Sequence, residues 1–345
     1  MRVLQVMAGA EVGGAEVFFG RLIQALHADG LSQQVLMRAH AERMELFDQA
    51  KIPYTIAPFK PLFDLKTRRL FKEAIKEFRP DIVMTWMSRA SHLCPQGSFV
   101  HVARLGGYYD LKYYKKADYL IGNTQDIFNY FLGKGWNKDY AVYLPNFVPE
   151  PDTTKSMPRS AFNTPDDVPL LLSLGRFHDD KAFDVLIKAL KYLDNTYLWL
   201  AGEGEREGFL KNLAEKQGVL ERIRFIGWQR SVTPLFNAAD LYVCPSRIEP
   251  LGNVVIEAWS HKSPIVAAAS AGPAGLIENR KNGLLVPVED DGALATAIQE
   301  VIQNKTLRST IIKGGAETFK EKFSKEIVTQ KYREFFARVI DKKRV

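Results

Sequence analysis

Cysteine and long hydrophobic runs are both scarce in this chain of 345 residues. The two cysteines, Cys94 and Cys244, argue against a disulfide framework or a cysteine metal site and suit a reducing cytosol. No segment approaches the roughly 18 to 20 consecutive apolar residues that a membrane-spanning helix needs. The first seven residues are too short for a signal peptide and predict a first strand. We therefore expect a cytoplasmic protein without a transmembrane segment.

The sequence also lacks two nucleotide-binding motifs and a strong excess of one charge. Neither the dinucleotide fingerprint G-x-G-x-x-G nor a P-loop occurs, which argues against a dehydrogenase built on Rossmann halves. The net charge of +7 arises from 47 basic and 40 acidic residues, and neither half of the chain is a polycation. We therefore expect no nucleic-acid partner.

Short apolar runs alternate with amphipathic helical windows along the chain, a pattern typical of parallel α/β sheets. Two sets of six strands are predicted, at 3–7, 34–37, 82–85, 100–103, 119–122 and 141–144, and at 170–174, 197–201, 223–226, 241–244, 264–267 and 283–286. Helical windows include 15–28, 67–78, 184–193 and 207–217. A proline-rich polar stretch at 144–167 separates the two sets, as a linker should.

This organisation predicts an α/β protein with two Rossmann-like, doubly wound parallel-sheet domains facing a cleft. We assign residues 1–150 and 151–325 to the two domains. Residues 326–345 are assigned to a C-terminal helix that could pack back on the first domain. Ligands of open α/β sheets bind beyond the carboxyl ends of the strands, so the loops that follow strands are the candidate sites.

Glycines and basic residues mark two of these loops. Gly13 and Gly14 precede a helix, where backbone N–H groups and the helix dipole favour an anion, although a tight strand-to-helix turn explains them equally well. Gly175 and Arg176 follow a strand, and Lys181 comes five residues after the arginine. An arginine and a lysine at one strand end can clamp a diphosphate; the alternative is two solvated bases beside a loop.

Two further loops carry a glycine and a tryptophan. Gly202 follows an apolar strand and permits close approach of the backbone to a ligand. Trp228 follows the next strand, where it could pack beside a nucleobase or be buried in the core.

The loop after strand 241–244 carries the strongest signal. Glu249 lies in this loop, where it can reach a ligand above the sheet, and Gly252 opens a helix whose first N–H groups, at 251–254, could hold phosphate. Glu257 lies on the otherwise apolar helix, where a carboxylate needs a partner. A pair of sugar hydroxyls would serve, and so would an ordinary buried hydrogen bond.

Taken in order, these motifs resemble the retaining nucleotide-sugar glycosyltransferases of the GT-B fold, specifically the large fourth family, also called glycosyl transferases group 1. That family carries two glutamates separated by seven residues, here Glu249 and Glu257. The other matching motifs are Gly13-Gly14-Ala15-Glu16, Leu144-Pro145-Asn146, Gly175-Arg176 with Lys181, Gly202-Glu203-Gly204, Phe225-Ile226-Gly227, Pro245-Ser246 and Asn282-Gly283-Leu284-Leu285-Val286. The resemblance covers nearly the whole chain.

Some positions depart from the family pattern. Ala182 stands where the family often has Gly, and Pro250-Leu251-Gly252 stands where Gly-Phe-Gly is usual. Many members place a His in reach of the sugar after the fourth or fifth N-terminal strand. His101 falls within its strand and is interpreted as a packed residue, whereas Arg104 lies nearer the expected position.

The resemblance implies an enzyme that moves a sugar, with retention of configuration, from a nucleoside diphosphate sugar to a saccharide or lipid-linked acceptor. Bacterial envelope glycan synthesis, of lipopolysaccharide or exopolysaccharide, is the implied setting. Arg176 and Lys181 would stabilise the departing diphosphate, and Glu249 would hold the sugar and stabilise positive charge at its anomeric carbon. The N-terminal domain would bind the acceptor and the C-terminal domain the nucleotide sugar.

The implied donor-binding residues are Gly13, Gly14, Gly175, Gly202, Trp228, Leu251, Gly252, Asn253, Val254 and Glu257. Glu16 and Arg104 are the implied acceptor-binding residues. No Asp-x-Asp motif occurs in the sequence, so we expect neither a metal nor another cofactor. The competing hypothesis is a non-catalytic nucleotide-sugar or carbohydrate-binding protein on the same fold, against which Glu249, Arg176 and Lys181 argue.

Basic residues alternate with aromatic ones in two segments of the N-terminal half, 59–79 and 108–116. The first holds seven basic residues against three acidic ones, and Phe59, Leu62 and Phe63 are expected to be exposed just before its helix. These segments could be solvated surface, or they could dock on an anionic cytoplasmic leaflet and bring the acceptor side to a lipid-linked saccharide. The second hypothesis places the protein peripherally on the inner face of the cell membrane.

Overall fold

Two parallel β-sheets, each covered by helices on both faces, organise the chain. The computed structural model describes residues 1–10, 13–61, 63–152 and 155–344. Every strand pairing among the sheets of these residues is parallel, with seven strands in one sheet and six in the other. The predicted fold class, two doubly wound parallel-sheet domains, is therefore confirmed.

The first sheet contains one strand more than the sequence pattern predicted. Its strands are β1 Arg2–Met7, β2 Ser32–Met37, β3 Tyr54–Ile56, β4 Ile82–Trp86, β5 Val100–Leu105, β6 Tyr119–Gly122 and β7 Ala141–Tyr143, in the spatial order β3-β2-β1-β4-β5-β6-β7. The unpredicted strand is β3, at the edge of the sheet. Its three half-buried residues lie between Pro53 and Pro58 and are too short to form an apolar run, so the prediction of two equal sets of six was wrong.

The second sheet has the six strands that were predicted, with boundaries shifted by one residue at most. They are β8 Leu170–Leu174, β9 Tyr197–Ala201, β10 Ile223–Phe225, β11 Leu241–Cys244, β12 Ile265–Ala268 and β13 Leu284–Val286, in the spatial order β10-β9-β8-β11-β12-β13.

The helices cover both faces of each sheet. In chain order they are α1 Gly14–Ala28, α2 Ala41–Gln49, α3 Leu65–Phe78, α4 Met87–Leu93, α5 Gln125–Gly133, α6 Phe183–Leu190, α7 Glu207–Lys216, α8 Thr233–Ala238, α9 Asn253–Ser260, α10 Ala271–Leu276, α11 Asp291–Gln303, α12 Lys305–Thr318 and α13 Lys325–Arg344. None of them, among the described residues, is long and apolar enough to cross a membrane.

The central strands show why each sheet is covered twice. In β1, Val3 and Met7 belong to one buried cluster, while Leu4 and Val6 belong to the cluster on the opposite face. Successive residues of a strand point to opposite faces, so a strand with apolar residues on both must be buried on both.

The chain divides into two compact units. The first unit comprises residues 1–147 and 325–345, and the second comprises 148–324. The long helix α13 thus belongs to the first unit, where Tyr332 and Phe336 share a buried cluster with Phe18 and Trp86.

Each sheet changes winding direction beside one central strand. In the first sheet β1 lies between β2 and β4, and in the second sheet β8 lies between β9 and β11. The loops after β8 and β11 therefore leave the carboxyl edge of the second sheet side by side, at the position where open α/β sheets bind ligands.

The start of α3 differs from the expectation in one respect. Phe59 is completely buried, so its predicted exposure was wrong; its side chain packs in the cluster that also contains Phe71. Phe63 is 95% exposed, as expected, and Leu62 lies outside the described residues.

Candidate functional site

The loops after β8 and β11 bring two predicted catalytic residues into direct contact. The Lys181 ammonium donates a hydrogen bond of 2.5 Å to Glu249 Oε2, across 68 residues of sequence. Both side chains are largely enclosed, with 25% of Lys181 and 10% of Glu249 exposed. The second oxygen of Glu249, Oε1, accepts a hydrogen bond of 3.3 Å from the Gly252 N–H. Glu249 is thus fixed between a cation and the start of α9.

The side chain of Arg176 differs from that of Lys181 in its surroundings. Arg176 lies two residues after the end of β8, and its side chain is exposed. Among the described residues this side chain makes neither an ion pair nor a hydrogen bond. One of the two predicted cations is therefore neutralised by Glu249, and the other is available to a ligand.

Ala182, which stands where the family often has Gly, adopts a backbone conformation that favours glycine. The residue is buried and adopts a left-handed conformation, with φ of 52°. This conformation costs a residue other than glycine roughly 1–2 kcal/mol, which is why glycine suits the position. The chain nevertheless keeps the turn that places Lys181.

Gly202 is required by backbone packing. It has a φ of 146°, and a Cβ atom on it would lie 1.9 Å from the carbonyl oxygen of Gly175. The loops after β8 and β9 are also joined by the hydrogen bond from the Gly175 N–H to the Ala201 carbonyl, 3.0 Å long. Gly202 thus positions the loop that carries Arg176, and its predicted approach to a ligand stays a prediction.

Arg247 holds the loop of Glu249 in place. Its guanidinium donates two hydrogen bonds to the Asp184 carboxylate in the first turn of α6, at 2.8 and 2.7 Å, and it also contacts Glu289. These contacts raise the pKa of Arg247. Burial is the largest influence on the pKa of Asp184 and would raise it, but the hydrogen bonds from Arg247, together with the positive charges of Arg247 and Lys188, lower that pKa overall. The sequence analysis missed this pair because 63 residues separate its members.

The start of α9 packs tightly against α10. Gly252, at the N-cap, has a φ of 66°, and a Cβ atom there would lie 2.8 Å from Leu276 Cδ1. The Gly272 N–H donates to the Glu249 carbonyl at 2.7 Å. Two residues before Gly272 lies Ser270, which is buried and whose hydroxyl has no hydrogen-bond partner in the described part of the chain. No sequence motif pointed to Ser270.

The remaining predicted donor residues lie on the same unit, except Gly13 and Gly14. Leu251, Asn253, Val254 and Glu257 are partly buried on the first turns of α9 and just before them. Trp228 is 65% exposed, which rules out the core alternative and leaves its indole accessible to a nucleobase. Their roles in donor binding stay predictions.

In the first unit, Glu16 folds back onto the loop that precedes α1. Its Oε1 accepts a hydrogen bond of 2.9 Å from the Ala10 N–H, and only 8% of the residue is exposed. A Cβ atom on Gly13 would come within 2.3 Å of the same carboxylate, whereas Gly14 has open space. The carboxylate therefore shapes the end of the loop after β1, and acceptor binding by Glu16 stays a prediction.

Arg104 requires a correction. It is only 1% exposed, and its guanidinium donates to the Tyr332 hydroxyl at 2.8 Å and to Asn146 Oδ1 at 2.5 Å. The guanidinium carbon also lies 4.6 Å from the ring centres of both Phe18 and Trp86. A cation enclosed in this way has no surface left for an acceptor. Arg104 instead ties α13 to the first sheet.

His101 is a packed residue, as interpreted from its position within β5. Its Nε2 lies 2.8 Å from Thr85 Oγ1, and its Nδ1 lies 3.1 Å from the Lys116 carbonyl oxygen. Burial lowers the pKa of His101 to about 4. The ring is therefore neutral at physiological pH. Among the described residues no cluster of three or more His, Cys, Asp or Glu side chains could hold a metal ion.

The comparisons with known proteins identify the family. Residues 156–318 match the family model described as glycosyl transferases group 1. The lipopolysaccharide core biosynthesis glycosyltransferase LpsE of Rhizobium meliloti is 34% identical over 333 residues, covering 94% of this chain and 96% of that protein. LpsD of the same organism is 34% identical over 349 residues, covering 99% and 100%. The chain belongs to the group 1 glycosyltransferases.

The fold of this glycosyltransferase is GT-B. It is similar to the solved structure of Alr3699/HepE from Anabaena in complex with UDP, with a TM-score of 0.85 and 20% identity over 98% of this chain and 100% of that one. At this identity the likeness concerns the fold alone, and it agrees with the two parallel sheets described above.

Proposed function

We propose that this glycosyltransferase moves a sugar, with retention of configuration, from a nucleoside diphosphate sugar to a saccharide or lipid-linked acceptor of the lipopolysaccharide core. The names of LpsE and LpsD support this setting, and the bound UDP of HepE supports a uridine nucleotide as the first donor to test. The observation that carries the proposal is the Lys181–Glu249 pair at the point where the second sheet changes direction.

The two cations act on the leaving group. Departure of the nucleoside diphosphate leaves negative charge on its β-phosphate, which Arg176, Lys181 and the first turn of α9 stabilise. The Arg176 side chain is unpaired among the described residues, so it can bind the phosphate without first giving up another contact. Lys181 is shared, since the diphosphate competes with Glu249 for the same ammonium group.

The carboxylates act on the sugars. Glu249 holds hydroxyls of the donor sugar and stabilises positive charge at its anomeric carbon, while Glu257 holds the ribose and Trp228 lies beside the base. The acceptor can attack the anomeric carbon from the same face that the nucleoside diphosphate leaves, while a phosphate oxygen takes the acceptor's proton. This route needs no protein nucleophile. In the first unit, Gly13 and Gly14 are assigned to the donor and Glu16 to the acceptor.

A panel of UDP-, GDP- and ADP-sugars tests the proposal. The intact enzyme is incubated with each donor, with and without a deacylated lipopolysaccharide core acceptor, and release of the nucleoside diphosphate is measured. We expect one donor to be hydrolysed slowly alone and consumed faster with acceptor, and product analysis to show the retained anomer. Binding without turnover of any donor, or an inverted product, would contradict the proposal.

A further inference from the structure

The outer side of α3 combines strong positive charge with two protruding apolar side chains. Phe63 and Leu65, 95% and 76% exposed, are the most exposed large hydrophobic residues in the described part of the chain. Lys66, Arg68, Arg69 and Lys72 follow directly, and all four are exposed. We call these six residues the α3 face, and we propose that it docks on an anionic lipid bilayer.

The helix presents this face because its other side is buried. Phe71 and Ala74 pack against the first sheet, and Thr67 is also buried. With 3.6 residues per turn, Leu65, Arg69 and Lys72 then lie on the side opposite to this core. The only ion pair that a member of the α3 face makes, among the described residues, joins Arg69 to Glu73. The charge of the face is therefore largely uncompensated.

Hydrogen bonds to Asp64 form the start of the helix between Phe63 and Leu65. The buried carboxylate of Asp64 accepts hydrogen bonds from the Thr67 N–H at 3.0 Å and from the Lys60 N–H at 2.6 Å. Phe63 precedes it with a φ of 49°, a conformation that few bulky residues adopt. The Phe63 side chain is thus exposed next to a hydrogen-bonded helix start.

Helix α4 contacts both basic and aromatic segments, 59–79 and 108–116. Arg89 of α4 donates to the Phe59 carbonyl at 2.9 Å, which joins α4 to the segment before α3. On its other side, Ser88 of α4 bonds the Tyr114 hydroxyl at 3.0 Å, and the His92 ring contacts the ring of Tyr113. The two segments, which are far apart in the sequence, therefore both contact α4.

A bilayer surface fits this combination better than an aqueous polyanion does. Exposed Phe and Leu side chains can enter the boundary between headgroups and acyl chains, while Lys and Arg beside them contact anionic headgroups. A nucleic acid would match the charge but not the protruding leucine. The purpose of docking, access to a lipid-linked acceptor, rests on the proposed function, but docking itself does not.

Co-sedimentation with vesicles tests the proposal without any sugar donor. The full chain is mixed with vesicles of phosphatidylcholine, or of phosphatidylcholine with an equal amount of phosphatidylglycerol. We expect binding only to the anionic vesicles, and a strong decrease when salt rises from about 0.1 to about 1 M, because the Debye length shortens from about 10 to about 3 Å. Equal binding to both vesicles, or none to the anionic ones, would overturn the proposal.

Two sets of variants separate the α3 face from net charge. Replacing Lys66, Arg68, Arg69 and Lys72 by Ser should weaken binding on the order of 10²- to 10³-fold, since each base near an anionic surface contributes a several-fold factor. The matched control replaces Lys305, Lys313, Lys320 and Lys322, four exposed bases of the second unit, and should bind like the unchanged protein. Equal loss in both sets would overturn the proposal.

The apolar contribution is tested by Phe63→Asn with Leu65→Gln. Asn tolerates the left-handed backbone, so the fold is preserved. We expect binding to fall about tenfold or more at unchanged charge. A random RNA duplex that binds as tightly as anionic vesicles, unaffected by this pair, would overturn the proposal in favour of a nucleic-acid surface.

A fluorescent label reports insertion directly. Cys94 and Cys244 are buried, so an environment-sensitive dye is directed to Leu65→Cys or, as the control, to Tyr192→Cys on the second unit. Anionic vesicles should shift the emission of the first to the blue and leave the second unchanged. Transfer to a water-soluble acceptor should continue in every α3 variant, so failure of docking and failure of the proposed enzyme activity are distinguishable.

Discussion

Replacing Arg104 by Met removes a charged head group from the interior of the first unit and keeps much of its apolar stem. Two hydrogen bonds from a charged donor, to Tyr332 and Asn146, are lost, each contributing about 1.5–3 kcal/mol. Two cation–π contacts, to Phe18 and Trp86, are lost as well, each contributing up to about 2 kcal/mol when desolvated.

A favourable change opposes these losses, because Met does not have to be desolvated as a guanidinium does. That cost is several kcal/mol for a buried ion, so we expect a net loss of about 3 kcal/mol in the free energy of unfolding. The thermal transition of the first unit should then fall by about 6–12 °C, at about 2–4 °C per kcal/mol.

Calorimetry of the intact enzyme measures this shift. Tyr332→Phe should cost less, about 1–2 kcal/mol. The double variant should lose less than the sum of the two, because both substitutions remove the same hydrogen bond. If Arg104→Met changed stability by less than about 1 kcal/mol and instead raised only the KM for the acceptor, the buried tie would be refuted and a direct acceptor contact restored.

Three further predictions concern the diphosphate leaving group, the Arg247 contacts that hold the Glu249 loop, and the buried His101. Arg176→Ala and Lys181→Ala should each lower kcat by about 10²-fold or more, with the double variant losing less than the product of the two; a chelator should have no effect on steady-state rates. Arg247→Met should lower kcat by up to about 10²-fold, through displacement of the Glu249 loop, while the donor Kd changes little; loss of donor binding alone would contradict this positioning role. His101 has a pKa of about 4 in the fold against a usual 6.5, so the unfolded chain takes up the proton first. Stability should therefore fall as the pH decreases from about 6.5 to about 4, by about 3 kcal/mol in full, and His101→Gln should remove this decrease in urea titrations at each pH.

The strands of both sheets could be predicted because buried parallel strands are continuous apolar runs. β3 escaped prediction because three half-buried residues between prolines carry no such pattern. Phe59 and Phe63 show the limit for side chains: they are four residues apart in one short segment, yet one is fully buried and the other is 95% exposed. Only the path of the backbone decides between them.

The residues of the candidate site that lie in sequence motifs could be predicted, and those outside the motifs could not. Glu249 and Lys181 were assigned from their positions after strands, and the sheet order brings them to 2.5 Å. Arg247 and Asp184 were not predicted, since an exposed-looking arginine and a first-turn aspartate give no signal of a mutual bond. Arg104 was assigned to the acceptor because it lies near the position where family members place a His, a resemblance that carries no information on burial; α13 returns from the far end of the sequence and covers it.

In the proposed function, Glu249 acts on the donor sugar and not on the nucleotide. The most direct test of this claim is Glu249→Gln, assayed for sugar transfer and for UDP affinity in the same preparation, with the exposed Glu215→Gln of α7 as the matched control. We expect transfer to be abolished in Glu249→Gln and UDP affinity to stay within several-fold, while Glu215→Gln behaves like the unchanged enzyme. Near-normal turnover of Glu249→Gln, or a loss of UDP binding that accounts for the whole defect, would contradict the claim.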